Sequence, residues 1–506
     1  MRRKKKIMVA LCMVTVLFAF TACSDKEDAA SEVENEQEES GSEVISSGFE
    51  EVEETEMGEK ENEEKPESQT PDEVENEDET LFISASVLNV RNDSKMNGSI
   101  VGKVIKGSQV SVIETVFDQE GSPKWHKIPY EHQDGDYGWI SAEYTVKDKM
   151  EFLGPGYADI DFSPQEKPGD YNNNPRVTVN GIYLTGYSAG SAKLDKMIDL
   201  ADRSKINAFV INMKDDNGTM LFKTDIAEEM NPEANVSVPV KDIDSVMKKL
   251  KEHDIYTIAR IVCFVDPKYV KEHPEAGVIY KDSGAPFYFK KNIQWSSAYN
   301  RELWKYVVGV AKEAAEAGFN EIQFDYVRFP TSNGGKRDAY LDYRNELGES
   351  KPLAVQNFLK YAREELDPYQ VYISADVFGL VGSVGDDMGI GQYWEAISNV
   401  VDYISPMMYP SHYGPGVYGL AVPDASPYET IYRCTKDSVT KNMNIETPAI
   451  VRPWIQDFTA TYVDGHIHYG AEQIRAQIKG LNDNGIEGFM LWNPSNNYDV
   501  GGVEKE

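Results

Sequence analysis

Cysteine and histidine are scarce in this chain of 506 residues, which contains 4 cysteines and 7 histidines. Cys12 and Cys23 belong to the N-terminal segment, so only Cys263 and Cys434 remain for the body of the protein. Both lie in apolar or helical contexts, and we expect two buried thiols rather than a disulfide. No Cys/His spacing suggests a zinc site. The sequence therefore predicts neither a metal site nor a cofactor.

Basic residues are also few, because 51 Lys and Arg stand against 85 Asp and Glu, for a formal net charge of −34. Residues 24–80 alone hold 25 acids and 3 lysines. With the five basic residues at the N-terminus also set aside, residues 81–506 carry −17. Contacts to nucleic-acid phosphates need Lys and Arg. An acidic body therefore argues against nucleic acid as a partner.

The main hydrophobic run is short. Ile7–Phe20 spans about fourteen residues, whereas a membrane-spanning helix needs ~20. It follows the basic residues 2–6 and precedes Cys23, an order typical of a secretory signal. The segment resembles a bacterial lipoprotein signal, which implies that residues 1–22 are removed and that Cys23 carries a lipid. An N-terminal membrane anchor is the alternative, and both interpretations place the body of the protein outside the cytoplasm, anchored to the bacterial cell membrane.

Residues 23–80 have little that could form a core, since Glu, Asp, Ser and Asn dominate them. Such a segment cannot bury enough apolar surface to offset the entropy of ordering, so we expect it to stay disordered and extended. We interpret it as a tether between the lipid and the folded body, with an acidic binding tail as the alternative.

Residues 81–146 consist of short β-type segments at regular spacing with turn residues between them, the pattern of a small barrel. Leu88-Asn89-Val90-Arg91 and Gly138-Trp139-Ile140 resemble the bacterial SH3-type domain. This resemblance implies binding of cell-wall peptides or glycans. Trp125 and Trp139 could serve as ligand platforms, although we favour a core role in so small a barrel.

Residues 147–177 are rich in Pro, Gly, Asn and Asp and are predicted to form a linker. In residues 178–506, strand-like and helix-like runs alternate. The predicted strands are Val179–Leu184, Ala208–Met213, Tyr256–Phe264, Glu321–Asp325, Val371–Asp376, Asp402–Met408, Thr447–Pro453 and Ile486–Trp492. The predicted helices are Ala192–Ser204, Val238–His253, Arg301–Ala317, Pro352–Leu366, Gln392–Asn399, Pro427–Asp437 and Ala471–Asn484.

Eight strands, each followed by a helix, predict an α/β fold of the (β/α)₈ type, the TIM barrel. A doubly wound open sheet is the alternative. That fold usually carries a Gly-rich phosphate loop after its first strand, and Leu184–Gly190 lacks the GxGxxG spacing.

Residues just past each strand of such a barrel share one rim, where catalysis takes place. Here that rim is rich in carboxylates, which do acid–base work, and in aromatic rings, which stack on sugars. Glycoside hydrolysis needs two carboxyl groups, ~5–5.5 Å apart for retention and ~6.5–9.5 Å apart for inversion. We favour Asp325 and Asp376, on adjacent strands, as the catalytic pair. The predicted substrate-binding residues are Lys214, Asp215, Arg260, Tyr326, Arg328, Tyr409, Trp454, Gln456 and Trp492.

Several of these residues have a structural interpretation as well. Asp215 belongs to an Asp-Asn-Gly-type turn, and we weigh turn and site evenly. Asp376 could be a buried acid that pairs with Arg260 or Arg328. Trp492 is expected to be a pocket floor rather than core. At the other end of the barrel Asp402 should be structural, and His412 is expected at the surface.

Two family resemblances bear on this site. Residues 318–326, with Tyr403–Tyr409 and Gly488–Trp492, resemble family 18 chitinases at their strands. The first two acids of that signature are replaced by Asn320 and Gln323, its catalytic Glu falls on Val327, and only the acid at Asp325 remains. Substrate-assisted chemistry of the chitinase type is therefore not expected.

The second resemblance covers about residues 178–500. Its motifs are Gly181–Thr185, Asn212–Gly218, Phe324–Pro330 and Ser374–Gly379, and together they resemble a bacterial family of glycosyl hydrolase domains. This resemblance implies a cell-surface glycoside hydrolase that acts on a polysaccharide of the cell wall, such as peptidoglycan, or on an exopolysaccharide.

Two other interpretations stay open. In the first, the protein is a non-catalytic glycan-binding or scaffold lipoprotein of the cell envelope, as Val327 suggests. The second is a metal-dependent deacetylase or hydrolase that uses Asp215, Asp216 and Asp325, against which the lack of ligand histidines counts.

Overall fold

The structure is a computed structural model that describes residues 79–85, 87–132, 135–148, 156–289, 293–332 and 335–505. The predicted signal, the predicted lipidation site Cys23 and the predicted tether up to residue 78 lie outside the described residues. Within the described part of the chain, every helix falls short of the length or the apolar character that crossing a bilayer requires.

The N-terminal domain is a small antiparallel β structure. Its strands are Glu79–Ile83, Val87–Arg91, Ile100–Ile105, Gln109–Val112, Glu114–Phe117, Pro123–His132, Gly135–Ser141 and Thr145–Val146. They form a three-stranded and a five-stranded sheet around a core that includes Ile83, Val90 and Ile140. Trp125 and Trp139 are each only 8% exposed, so the core role expected of both is confirmed.

The segment from residue 156 to residue 177 has no helix or long strand, but it packs on the barrel. Arg176 forms an ion pair with Asp402 at 2.9 Å, and Asn174 Nδ2 donates to the Asn320 main-chain oxygen at 2.7 Å. Asp402 also accepts from the main-chain N–H of Ile373 at 2.9 Å. The structural role predicted for Asp402 is therefore confirmed.

The rest of the chain is a closed barrel of eight parallel strands, as predicted. The strands are β1 Asn180–Leu184, β2 Ala208–Lys214, β3 Tyr256–Val262, β4 Glu321–Asp325, β5 Tyr372–Phe378, β6 Tyr403–Met408, β7 in two parts (Ile450–Val451 and Trp454–Gln456) and β8 Phe489–Trp492. Each strand pairs with its neighbours in chain order, and β8 pairs with β1 to close the barrel. The seventh strand is interrupted at Pro453, which has no N–H to donate to a ladder.

In the described residues, seven helices that follow β1 to β7 cover the outside of the barrel. They are α1 Lys193–Asp202, α2 Ile243–Glu252, α3 Arg301–Glu316, α4 Lys351–Leu366, α5 Trp394–Ser398, α6 Pro427–Asn442 and α7 Ala471–Asn482. Three shorter helices, Gly186–Ala189, Asp225–Met230 and Pro267–Glu272, lie in the loops after β1, β2 and β3. Asn300 and Ser350 cap α3 and α4 by accepting main-chain N–H bonds at the first turn. After β8 the described chain forms only the 3₁₀ turn Val500–Gly502, so the expected helix after every strand is wrong for the last one.

The barrel interior is built in layers, because every second residue of a strand points inward. Along β4 these residues are Glu321, Gln323 and Asp325, while the intervening Ile322 and Phe324 belong to the outer core that packs on the helices. Glu321 lies at the amino end of the interior, where it is ion-paired with Arg452 across the barrel. The uppermost layer, at the carboxyl ends of the strands, contains the candidate site.

Cys263 and Cys434 are both free and buried, as the sequence predicted. Burial raises the pKa of each thiol, so neither is set up as a nucleophile.

Candidate active site

Asp325 and Asp376 lie side by side, because β4 and β5 are in register with Phe324 opposite Ala375. Asp325 is the last residue of β4, and Asp376 lies near the carboxyl end of β5. Both side chains are buried, with 4% and 1% exposure. The structure therefore brings the predicted catalytic pair together at one end of the barrel interior.

Arg260, from β3, holds the two acids close to each other. Its Nε is 2.9 Å from Asp325 Oδ2 and 3.9 Å from Asp376 Oδ2. The two carboxylate oxygens consequently lie no more than 6.8 Å apart, the sum of those distances. Nη2 also binds Asp325, and Nη1 donates to Asn212 Oδ1 at 2.6 Å. Arg260 thus neutralises Asp325 directly and reaches Asp376 only at longer range.

Asp376 has a raised pKa. Burial and the nearby Asp325 carboxylate raise the pKa of Asp376 well above its ordinary value. Its Oδ1 accepts a hydrogen bond from Trp454 Nε1 at 2.8 Å. A carboxyl group whose pKa is raised in this way is suited to act as a general acid.

Aromatic rings surround the pair. Trp492 stacks on Tyr183 with ring centroids 4.1 Å apart, and Trp454 meets Trp492 edge-on at 5.6 Å. Tyr409 is 1% exposed and near enough to Asp376 for that carboxylate to raise the pKa of its phenol. We call the end of the barrel interior bounded by Arg260, Asp325, Asp376, Tyr183, Tyr409, Trp454 and Trp492 the bowl. Trp492 is 4% exposed and belongs to a buried core cluster with Tyr183, Tyr409 and Trp454, so the pocket-floor role stays a prediction.

Arg328 lies among three rings beside the carboxyl ends of β4 and β5. Its guanidinium carbon is 4.8 Å from the Trp295 ring, 5.0 Å from Tyr326 and 4.6 Å from Phe378. Tyr326 adopts a left-handed backbone conformation with φ of 49°, which is uncommon for a residue with a side chain. This turn directs the chain out of β4 immediately after Asp325.

Two residues predicted to bind substrate are occupied elsewhere. Lys214 is fully buried, and its Nζ forms an ion pair with Asp266 Oδ2 at 2.9 Å. Gln456 is also fully buried: its Oε1 accepts from Ser411 N at 3.1 Å, and its Nε2 donates to Asp424 Oδ1 at 3.0 Å. Both expectations are corrected, because neither side chain is accessible to a ligand.

Asp215 is mainly a turn residue. Its Oδ1 accepts main-chain N–H bonds from Asn217 and Thr219 at 3.1 and 2.7 Å. Gly218 completes this turn with φ of 75°, and a Cβ there would be 2.2 Å from Asp266 Oδ1. Of the two interpretations of Asp215, the turn is therefore the one that its contacts support.

Sequence reasoning gave too little weight to Asp216, considering it only as a metal ligand. It is half-buried, and burial together with the Asp325 carboxylate raises its pKa while Arg260 lowers it. Asp216 is therefore a third carboxylate around Arg260 and the most accessible of the three. Its place just past β2 was the signal that could have identified it.

Asp457, just past β7, was also not selected. It is 4% exposed, and its Oδ2 has no hydrogen-bond partner within the described residues. Burial, then the Asp499 carboxylate, raise the pKa of Asp457 to about 8. His412 is half-buried rather than at the surface, and burial lowers its pKa to about 4, so its ring is neutral at pH 7.

Two further expectations can be compared with the structure. Val327, at the position of the chitinase glutamate, is completely buried in the apolar core. Among the residues that the structure describes, no group of three or more His, Cys, Asp or Glu side chains is arranged to hold a metal ion.

A (β/α)₈ barrel with a carboxylate pair, an arginine and aromatic rings at the carboxyl ends of its strands has the architecture of a glycan-acting hydrolase. The chain belongs to the family described as "Putative glycosyl hydrolase domain", whose family model matches residues 181–498. A bacterial SH3 domain is matched over residues 86–146, which confirms the identity of the N-terminal domain.

Solved structures share similarity with the chain. A hypothetical protein from Ruminiclostridium thermocellum ATCC 27405 is 34% identical, with 41% of this chain and 98% of that chain covered and a TM-score of 0.35. The PgaB (BpsB) glycoside hydrolase domain from Bordetella bronchiseptica is 12% identical, covering 63% and 94% with a TM-score of 0.45. The spore cortex-lytic enzyme SleL from Bacillus megaterium QM B1551 is 12% identical, covering 65% and 74% with a TM-score of 0.38. No curated protein matches the chain.

Proposed function

We propose that the protein is a cell-surface glycoside hydrolase that cleaves a polysaccharide of the cell wall or an exopolysaccharide. The observation that carries this proposal is the pairing of Asp325 with Asp376 around Arg260, at the reactive end of the barrel. Asp376, whose pKa is raised, is the proposed general acid, and Asp325, which is bound by Arg260, is the proposed nucleophile or base.

In the proposed reaction Asp376 gives its proton to the glycosidic oxygen as the bond to the anomeric carbon breaks. Asp325 either attacks that carbon or removes a proton from an attacking water molecule. The upper limit of 6.8 Å between the two Oδ2 atoms is compatible with the retaining separation of ~5–5.5 Å and with the lower end of the inverting range of ~6.5–9.5 Å. In the retaining course, water later hydrolyses a glycosyl–Asp325 ester with Asp376 acting as the base.

The test is release of reducing sugar from a panel of cell-wall glycans and exopolysaccharides. Asp325→Asn and Asp376→Asn should each lose at least a hundredfold in kcat/KM, in line with the ~10²–10⁴ that acid–base groups contribute. Asp386→Asn, at an exposed acid in the loop after β5, is the control that should keep activity. Full activity in Asp325→Asn would refute the assignment.

A second measurement separates the two stereochemical courses. If Asp325 is the nucleophile, the sugar that the wild type first releases should keep the substrate's configuration at the anomeric carbon, which NMR early in the reaction would show. If Asp325 is the base, the first product should have the inverted configuration. An inverted first product would therefore refute Asp325 as the nucleophile.

A non-catalytic glycan-binding protein is the second candidate function. It is favoured by the burial of Asp325 and Asp376, at 4% and 1% exposure, and by Val327 at the chitinase glutamate position. Under this proposal Trp492→Ala abolishes glycan binding while the pure protein never releases product. Any hydrolysis that is lost in Asp325→Asn would eliminate it.

The location at the cell surface rests on the N-terminal sequence. We propose that Cys23 is lipidated and that residues 23–80 tether the folded domains to the membrane. The SH3 domain supports a position at the cell wall, where it would contact peptidoglycan. Metabolic labelling with a radioactive fatty acid should mark the wild type and not Cys23→Ser, and an unlabelled wild type would refute the anchor.

A further inference from the structure

A cavity of about 330 Å³ lies between the SH3 domain and the barrel, within the range of ~300–1,000 Å³ that is typical of small-molecule sites. Its lining includes Phe82 and Gln109 from the SH3 domain, Phe162 from the segment before β1, and Glu395 of α5 and Asn444 from the barrel. Asn444 lies in the loop that leads from α6 into β7, at the amino ends of the strands, whereas the bowl lies at their carboxyl ends. We call this space the interdomain cavity, and it is separate from the candidate active site.

Asn444 has one satisfied and one unsatisfied atom in its side-chain amide. Its Oδ1 accepts from the main-chain N–H of Gln109 at 2.5 Å, a bond that joins the barrel to the SH3 domain and fixes which end of the amide carries the oxygen. Its Nδ2 is buried and has no acceptor within the described residues. Asn444 is only 9% exposed, so bulk solvent does not replace that acceptor. The interdomain cavity therefore has an open position for a hydrogen-bond acceptor.

Glu395 has the opposite deficit. It is 6% exposed, and its Oε2 is buried without a donor in the part of the chain that the structure describes. Lys441 is a neighbouring cation, because burial lowers the pKa of Lys441 and the Glu395 carboxylate acts in the opposite direction. The Lys441 Nζ, however, donates to the main-chain oxygens of Val381, at 3.0 Å, and of Val384. Glu395 thus has a cation nearby, and what its carboxyl group lacks is a hydrogen-bond donor.

A secondary amide is the chemical group that would satisfy both atoms. Its N–H donates to a carboxylate oxygen and its carbonyl oxygen accepts from an amide nitrogen, as Glu395 and Asn444 require. A protonated amine supplies donors but no acceptor. The half-buried rings of Phe82 and Phe162 add apolar surface, on which a sugar ring that carries such an amide can pack.

We propose that the interdomain cavity is a second, non-catalytic glycan site that binds a sugar with an N-acetyl group. The acetamido N–H donates to Glu395, and the acetamido oxygen accepts from Asn444 Nδ2. This site goes beyond the proposed hydrolase function, because it lies at the other end of the barrel strands and involves both domains. It would hold an N-acetylated glycan against the protein whether or not the bowl cleaves that glycan.

The experiment uses the full chain with N-acetyl-D-glucosamine and D-glucose as probes, titrated by ligand-observed NMR. N-acetyl-D-glucosamine should bind about tenfold more tightly than glucose, because its amide adds a donor and an acceptor for the two unpaired atoms. Asn444→Asp keeps the oxygen that accepts from Gln109 but replaces the donor by a second oxygen, and it should reduce this preference to less than twofold. Asn482→Asp, at an exposed amide at the end of α7, is the matched control that should leave the preference unchanged.

A second variant separates binding from a structural role of Glu395. Glu395→Met replaces a buried carboxyl group that has an unpaired oxygen by an apolar side chain of similar length, so Tm should stay the same or rise while the preference for N-acetyl-D-glucosamine is lost. Glu429→Gln, at an exposed acid of α6, should change neither quantity. A marked fall in Tm for Glu395→Met would assign the carboxyl group to the fold and overturn the proposal, as would a preference that survives in Asn444→Asp.

Other occupants of the interdomain cavity give different results. N-acetyl-L-alanine methylamide carries the same amide without a sugar, and if it binds as tightly as N-acetyl-D-glucosamine the cavity is a peptide site and the proposal is overturned. A sugar preference that is lost in Trp492→Ala and kept in Asn444→Asp would place the sugar in the bowl, with the same consequence. A wild type that binds N-acetyl-D-glucosamine no better than glucose, or not at all, would leave the two unpaired atoms to water and also overturn the proposal.

Discussion

Replacing Arg260 should be far more damaging to stability than replacing the acid with which it pairs. Arg260 is 5% exposed and is the one cation that approaches Asp325 and Asp376 in the described structure. In Arg260→Gln, Asp325 keeps its buried position but loses both guanidinium hydrogen bonds. Removing one partner of a buried ion pair costs about 3–5 kcal/mol, because the other charge is left uncompensated.

Asp325→Asn should cost less stability than Arg260→Gln, because Arg260 keeps other partners in that variant. The guanidinium retains Asp376 within 3.9 Å, its bond to Asn212 Oδ1 at 2.6 Å and the nearby Asp216. The charge left behind is therefore still compensated, and the cost should be about 1–3 kcal/mol, the value of a lost charged hydrogen bond.

Thermal unfolding followed by circular dichroism would measure the difference. For a barrel of about 330 residues the unfolding entropy is about 0.7 kcal/mol/K, so Arg260→Gln should lower Tm by about 4–7 °C and Asp325→Asn by about 1–4 °C. Both variants should lose activity. If Asp325→Asn destabilises the barrel as much as Arg260→Gln does, the other acids do not compensate Arg260, and the three-carboxylate site is wrong.

Three other perturbations test the remaining roles. In Trp454→Phe the pKa of Asp376 should rise further, because the indole hydrogen bond favours the ionised form of this acid, and the alkaline limb of the kcat/KM profile should move to higher pH. Trp304→Phe, in α3, is the control. An alkaline limb that does not move in Trp454→Phe would contradict Asp376 as the acid. Lys214→Met should lower Tm, because Asp266 is left buried without its ion-pair partner, whereas KM should change less than about twofold. A large rise in KM would instead support the predicted contact between Lys214 and the substrate. Asp457 has a folded-state pKa of about 8, above its ordinary value, so the folded protein holds this proton more tightly than the unfolded chain and the group's contribution to stability falls as pH rises from about 4 to 8. Asp457→Asn should therefore raise Tm more at pH 8 than at pH 4, and equal shifts at the two pH values would contradict the raised pKa.

Most of the barrel could be predicted because parallel strands that are buried on both faces read as continuous apolar runs between turn residues. Most strand boundaries fell within two or three residues of their predicted positions, and the position of Asp325 at the end of β4 followed from the run that precedes it. The seventh strand was placed with less accuracy, since Arg452 and Pro453 separate its two short parts. Pro453 was the visible reason for that break.

The direction of individual side chains was less predictable, for a reason that Lys214 illustrates. A continuous apolar run carries no alternation that would show which residues face the barrel interior. In β2 a bulge between Asn212 and Lys214 shifts the register against β3. Asn212 reaches Arg260, but Lys214 pairs with Asp266 in the loop after β3. Gln456 is a similar case, because nothing in its neighbourhood on the chain indicates Ser411 and Asp424 as its partners.

The layered interior explains why the buried acids of the barrel differ in the cations that they contact. Glu321 and Asp325 lie four residues apart on the inward face of β4. Each is ion-paired with an arginine from another strand, Glu321 with Arg452 and Asp325 with Arg260. Asp376, at the same height as Asp325, has only the Trp454 N–H at hydrogen-bond distance and shares the more distant edge of Arg260. Burial with one neutral donor, beside the Asp325 carboxylate, raises the pKa of Asp376, whereas Asp325 has a guanidinium bound to it. The proposed division of roles between the two carboxyl groups therefore follows from which strand carries the arginine, and moving that charge is the change to which the chemistry of the site should be most sensitive.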